Sequence, residues 1–309
     1  EGEYGPDHGE VATVLVNLGT VHGMLGEPLQ QRDLLERALE IMENEHGPNH
    51  RRVAVALVNL SSAYGSLRQV EKKRDVLERA LAINEKVFGP EHHALTTTLV
   101  NLGSAYGALG DVQRQRTTME RALCIRERAL GPDHWEVAKV LVILANAHGD
   151  LGDVLKQKEL LERALIIQEK YFGPEHRESL STLGSLGVAA GRLGDFGRKR
   201  ELLELMLCIL EREFGSEHWN VAITLLELGE TYSALGDNDR KEECLSRVET
   251  LRAGGAEHRF YGTSAKEVKD SVFDSTPHLL DCMHRWRHYR IALALSCQIW
   301  NLLLHVRCC

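Results

Sequence analysis

The sequence predicts an all-α protein, an α-solenoid of six stacked helix-turn-helix repeats followed by a helical C-terminal tail. Three observations carry this. A short anchor recurs every 42 residues: "GPDH" at 5–8, "GPNH" at 47–50, "GPEH" at 89–92, "GPDH" at 131–134, "GPEH" at 173–176 and "GSEH" at 215–218. Each anchor is followed by two leucines three residues apart, in the columns Leu15/Leu57/Leu99/Leu141/Leu183/Leu225 and Leu18/Leu60/Leu102/Leu144/Leu186/Leu228. A second amphipathic segment then precedes the next anchor. A fixed period of this length marks one supersecondary unit repeated, and a lone helix pair cannot bury its apolar stripe, so successive pairs stack.

The first segment of each repeat reads as a helix. Its two leucines, with Tyr64, Tyr106 or Tyr232 four residues beyond the second, form one stripe at helical spacing. It ends at Leu-Gly in five repeats and at Leu67-Arg68 in the second, glycine being a common C-terminal stop. The second segment, as in "LLERALEIMENEHG" (34–47), places Leu35, Ala38, Leu39 and Ile41 on one side. The following Gly-Pro ends it, because proline cannot continue a helix. The repeats therefore span about 5–46, 47–88, 89–130, 131–172, 173–214 and 215–252, which makes residues 1–252 the solenoid. From 253 the pattern fades into a degenerate repeat and helical tail, 253–309. There Ser264-x-x-Glu267 has capping-box spacing, and "RIALALSCQIWNLLLHV" (290–306) reads as a helix covering the last exposed stripe. The start, "EGEYGPDH", matches the end of a repeat such as "EKYFGPEH" and lacks an initiator Met. It reads as a cut within a longer array or an incomplete N-terminus.

Hydrophobic residues make up 43% of the 309 and charged residues 27%, as in a soluble protein with a core. Aromatics are only 6%, so Leu, Ala, Val and Ile build that core. Residues 259–309 carry seven Lys and Arg against four Asp and Glu, which leaves 30 against 41 in the preceding body. An acidic body argues against a nucleic-acid partner, which needs a basic stripe. Seven cysteines, with no CxxC spacing, fit a reducing compartment and a cytoplasmic location.

Small residues follow the second leucine: Gly19, Ser61, Gly103, Ala145, Gly187 and Gly229. They let the two helices of a repeat approach closely. This "N-L-G-x-x-Y" pattern, with "E-R-A-L" in the partner helix, resembles the tetratricopeptide repeat. The 42-residue length and the "GPxH" junction resemble the long variant of kinesin light chains. The resemblance covers about residues 5–252 and implies a right-handed solenoid whose concave face, lined by the first helices, binds protein partners. One departure is consistent. Where the family has a small residue early in the second helix, this chain has Gln31, Lys73, Gln115, Gln157, Lys199 and Lys241, so a displaced or rotated second helix is expected.

By that resemblance, the column before the second leucine carries peptide-contacting Asn residues. Here it reads Asn17, Asn59, Asn101, Ile143, Ser185 and Glu227. An amide both donates and accepts, so a ladder of them can hold an extended backbone whatever its side chains; alternatively these residues bond neighbouring helices. Three residues on lie Thr20, Ser62, Ser104, Asn146, Val188 and Glu230. One turn further is the glycine column Gly23, Gly65, Gly107, Gly149 and Gly191, which implies close approach to a ligand or close packing between neighbouring repeats. The carboxylate-gripping Lys of some chaperone-binding relatives is replaced by Thr13, Val55 and Thr97. Lys139, Asp150, Arg192, Glu227 and Glu230 charge the second half of the groove, which suits a peptide with its charges toward one end. The candidate groove is therefore Asn17, Thr20, Asn59, Ser62, Asn101, Ser104, Lys139, Asn146, Arg192 and Glu227.

The junction histidines His8, His50, His92, His134, His176 and His218 invite a metal-site reading. Ligands must converge at about 2.0–2.1 Å from one ion, whereas equivalent positions in stacked helices lie at least about 8–10 Å apart. A structural role at the loop–helix junction is expected, with His93 in a variable slot; no metal and no cofactor is expected. P-loop, GxSxG, HExxH and paired CxxC motifs are absent from the sequence, so no enzymatic activity is expected. The reading is a scaffold that binds a peptide or partner segment, as in a kinesin-light-chain-like adaptor. Alternatives are a sensor or regulatory arm of a larger nucleotide-switch protein, or a membrane-associated scaffold through the "VRCC" tail.

Overall fold

A computed structural model describes Gly5 and residues 8–251. The tail expected over 253–309 lies outside the described residues. The described residues fall into two compact bodies, one up to Leu205 and the other from Met206. The described residues of the first contain α1 (Gly9–Met24), α2 (Pro28–His46), α3 (Arg51–Ser66), α4 (Val70–Phe88), α5 (Thr96–Ala108), α6 (Val112–Leu130), α7 (Trp135–Asp150), α8 (Val154–Phe172), α9 (Leu180–Arg192) and the start of α10 (Phe196–Phe214). Those of the second contain the rest of α10, then α11 (Trp219–Leu235) and α12 (Asn238–Leu251). Among the described residues the fold is all-α, in successive helix-turn-helix pairs.

In the first body each second helix packs on its own first helix and on the first helix of the next repeat, α2 on α1 and α3, α4 on α3 and α5. That sandwich is why the alanine of "E-R-A-L" is fully buried at Ala38, Ala80, Ala122 and Ala164. The first cluster joins Ala12 and Leu15 of α1, Ala38 and Ile41 of α2, Val53 and Leu57 of α3, and Ala80 and Ile83 of α4. Polar ties cross the same seams. Arg79 pairs with Glu43 of the preceding second helix and donates to the Pro48 carbonyl at 3.1 Å. Arg121 repeats this with Glu85 at 2.5 Å and the Pro90 carbonyl, and Arg163 with Glu127 at 2.6 Å and the Pro132 carbonyl. The hydroxyls of Tyr64 and Tyr106 donate to Glu36 and Glu78 at 2.8 and 2.7 Å. Burial and the adjoining carboxylate push both phenols up to about 12.

The anchor has a definite local chemistry. Gly89 adopts φ 87° and ψ 161°, a region essentially closed to residues with a side chain, which turns the chain out of α4. His92 then caps the next helical turn, its Nδ1 accepting from the Ala94 N–H at 3.2 Å. His8, His50, His134, His176 and His218 do the same for the N–H two residues on, at 3.2–3.3 Å. A preceding aromatic stacks on the cap: Phe88 on His92, Phe172 on His176 and Phe214 on His218, each with centroids 4.9 Å apart. In the third and fifth repeats the cap opens onto a short 3₁₀ turn, His93–Leu95 and Arg177–Ser179, before α5 and α9 begin.

The two small-residue columns separate by role. Gly19, Gly103 and Gly187 face Leu35, Met119 and Leu203 of their own repeat's second helix, as the spacing predicts. The later glycine column faces the unusual polar column. A Cβ on Gly23, Gly107 or Gly149 would fall within 2.4–2.7 Å of the Gln31, Gln115 or Gln157 amide, and one on Gly65 or Gly191 would touch Lys73 or Lys199. The missing Cβ of this column thus faces its own repeat's second helix. It makes room within its own pair for the long side chain that replaces the family's small residue.

Candidate peptide-binding face

Among the first helices of the first body α1 touches α3, α5 touches α7 and α7 touches α9; these first helices make up the layer that carries the candidate columns. On that layer Asn17, Thr20 and Ser62 are exposed, and Asn59, Asn101 and Ser104 half-buried. The Thr20 and Ser104 hydroxyls turn back onto their own helices, donating to the Val16 and Val100 carbonyls at 2.9 and 3.0 Å. The amides of Asn17, Asn59 and Asn101 are engaged by no other described residue. Val55, one turn before Asn59, is 51% exposed and adds an apolar contact to the same strip.

The remaining candidates differ. The Lys139 ammonium sits 4.5 Å above the Trp135 ring, a cation–π pairing. Asn146 is 3% exposed, and neither its amide N nor its amide O has a hydrogen-bond partner. It lies inside the fourth repeat and not on the open strip. Arg192 donates to the Gly149 carbonyl at 2.8 Å and so ties α9 to the C-terminal end of α7. Glu227 is half-buried on α11, in the second body. Sequence reasoning missed the burial of Asn146 and the tie made by Arg192, because both depend on how the helices pack and not on register along one helix.

The opposite, second-helix side carries two equivalent clefts of about 380 and 400 Å³. The first is lined by Glu36, Leu39, Tyr64, Val76 and Arg79, the second by their counterparts Glu120, Leu123, His148, Leu160 and Arg163. The Arg79–Glu43 and Tyr64–Glu36 ties run along the first of them, so it belongs to the seam between repeats. No described group of His, Cys, Asp and Glu is placed to hold a metal ion. No helix among the described residues is long and apolar enough to cross a membrane.

Models of the tetratricopeptide repeat match residues 10–83 and then 95–136, 137–178 and 179–220. Among solved structures, the nearly identical TPR-like repeats of Podosopora anserina, assigned there to a kinesin light chain, are 28% identical; the match covers 67% of this chain and 98% of that one, with a TM-score of 0.59. BtubC from P. vanneervenii is 19% identical over 74% of this chain and 91% of its own, with a TM-score of 0.62. The type IV pilus biogenesis factor PilW is 15% identical over 78% and 93%, with a TM-score of 0.60. A search of curated proteins found no match.

Proposed function

Because the chain belongs to the tetratricopeptide repeat family, in an array of the 42-residue kinesin-light-chain-like type, we propose that the first-helix layer of repeats one to three binds an extended segment of a partner protein. Such repeats generally serve as scaffolds for protein–protein interaction, and here the observation that points to a site is the ladder Asn17, Asn59 and Asn101. Stacked helices lie about 8–10 Å apart, and an extended chain rises about 3.3 Å per residue. Each amide therefore meets every third residue of a bound strand, with both a donor and an acceptor to offer its backbone. The strip specifies backbone more than side chains, apart from the apolar contact at Val55. Just beyond the strip, at the fourth repeat, Lys139 and Asp150 add charge, which suits a ligand with a charged residue past that end.

The test is selection of displayed random peptides on the wild-type chain and on Asn59→Ala/Asn101→Ala. Each lost hydrogen bond is worth about 0.5–1.5 kcal/mol, so removing the two amides should weaken selected peptides roughly tenfold or more. Equal enrichment on both proteins would remove the amide ladder from the site.

A further inference from the structure

We propose that the junction edge of repeat four is a docking site for an arginine side chain of a partner protein, received on a circuit of aromatic rings. His134, Trp135, Phe172 and Tyr171 meet in a closed loop of contacts. Centroids lie 5.9 Å apart for His134–Trp135, 6.2 Å for Trp135–Phe172, 6.3 Å for Phe172–Tyr171 and 5.8 Å for Tyr171–His134. Tyr171 is 49% exposed and the other three are half-buried. The rings are held in place: the His134 Nδ1 accepts the Glu136 N–H at 3.2 Å, and Phe172 stacks on His176. A cation resting on such a circuit can stand within about 6 Å of each centroid, the reach of a cation–π contact.

The equivalent corners of other repeats show which chemistry fits. No other repeat has rings at all four positions. In repeat two the set is His50, Arg51, Val87 and Phe88, and the Arg51 guanidinium lies 5.5 Å from the Phe88 centroid. Repeat five again has arginine at that position, Arg177. Repeat four replaces the resident cation with Trp135 and adds Tyr171, so the corner offers rings in place of a guanidinium. The circuit already attracts positive charge, since the Lys139 ammonium sits over the Trp135 ring, 4.5 Å from its centroid.

Charge favours the same occupant. Asp133 and Glu136 flank the His134–Trp135 pair in sequence. Asp133 is bound to Lys170 at 3.2 Å, an exposed pair of the kind worth little, so its carboxylate can turn to an incoming cation. Arginine suits the corner better than lysine, because its planar guanidinium stacks on rings and is more weakly hydrated. Large aromatics commonly anchor interfaces, and Trp, Tyr and Phe make up only 6% of this chain. Trp135, Tyr171 and Phe172 are gathered here, apart from the buried leucine columns.

Titration of N-acetyl-arginine amide into the full chain, with the Trp135 indole and the Tyr171 ring followed by NMR, tests this. A single side chain binds weakly, so small but saturable shifts at both rings are expected, and none that saturate with the neutral isostere N-acetyl-citrulline amide. Trp135→Arg installs the residue of repeats two and five, which keeps the fold, and should abolish binding by filling the corner from within. Tyr171→Ala, the residue of repeat three, should weaken binding about two- to fivefold. Lys139→Ala clears the indole and removes a like charge, and should tighten it by a similar factor. Absence of saturable shifts with the arginine amide would overturn the proposal. Equal binding of the citrulline amide would do the same, as would binding unchanged in both Trp135→Arg and Tyr171→Ala while circular dichroism shows native helix content. Tighter binding of tetramethylammonium than of the arginine amide would overturn the assignment to arginine and give the corner to a methylated ammonium.

Discussion

Replacing Gly149 with alanine pits helix propensity against packing. Alanine is favoured over glycine in a helix interior by about 1 kcal/mol, and Gly149 is not among the glycines of positive φ, so the backbone accepts the change. The new Cβ, however, would lie 2.4, 2.5 and 2.6 Å from the Oε1, Cδ and Nε2 of Gln157. Gln157 is fully buried, so its amide has no solvent to move into. Overpacking of this kind costs about 1–3 kcal/mol, and with the propensity gain of about 1 kcal/mol subtracted the expected net result is destabilisation by up to about 2 kcal/mol. The same substitution at Gly65 meets only Lys73, whose nearest atom lies at 3.4 Å on a flexible side chain. There propensity wins, and Gly65→Ala should stabilise by about 0.5–1 kcal/mol. Urea denaturation followed by far-UV circular dichroism, with hydrogen exchange of α7 and α8 to localise the effect, reads both signs. Gln157→Ala in the Gly149→Ala background should rescue, since it restores the family's small residue and removes two buried amide atoms that lack partners. A stabilised Gly149→Ala, or a double variant no better than the single, would refute the reading that the glycine column exists to seat the glutamine.

Local geometry sets three further outcomes. His92→Ala removes the cap on Ala94 and the Phe88 stack, and should cost about 1 kcal/mol, with His92→Asn recovering most of it in the same denaturation assay. At the sixth junction, burial holds His218 below its ordinary 6.5, and its Nδ1 accepts the Asn220 N–H, so the folded form prefers the neutral ring. The unfolded chain then takes up the proton first. The contribution is complete above about pH 6.5 and is lost as pH falls through the lowered folded value; His218→Asn should flatten the melting-temperature profile across that window. Arg68 sits at φ 57° where the other repeats of the first body use glycine, as Gly110 does at 76°. Arg68→Gly should therefore raise the melting temperature through about 1 kcal/mol of relieved strain, and Gly110→Ala should lower it by a similar amount.

Most of the fold was legible because its causes repeat. The leucine columns, the Gly-Pro stop and the buried alanine of "E-R-A-L" recur at one spacing, and periodicity is the signal that sequence reading handles best. The pairing of the two unusual columns was not legible, although each column was. Gly23 and Gln31 are eight residues apart across a turn, and only the packed pair shows that one fills the space vacated by the other. The junction histidines read as structural, yet their capping role did not emerge, since Ser, Thr, Asp and Asn dominate that position and an imidazole nitrogen serves it here only through a definite ring orientation. Asn146 joined the groove by register alone. Its burial, at 3% exposed, depends on packing, and register carries no information on that.

The division between structural and binding columns can be argued from how polar groups are committed. On the second-helix side they are spent on seams: Arg79, Arg121 and Arg163 each bridge a glutamate of the preceding repeat and the proline carbonyl at the junction that opens their own. On the first-helix side Thr20 and Ser104 bond their own backbone. Asn17, Asn59 and Asn101 do neither, although Asn is a poorer helix former than Ala or Leu; three in register are a cost with no structural return inside the protein. At the fourth repeat the column becomes Ile143. There the layer begins to serve the fold, with Lys139 over Trp135 and Arg192 on the Gly149 carbonyl. The proposed strip therefore ends at the third repeat. A bound segment that needed the Ile143 or Ser185 level for its backbone contacts would contradict this, and a truncated peptide series against the wild-type chain would show it as affinity still lost when residues beyond the first nine or so are removed.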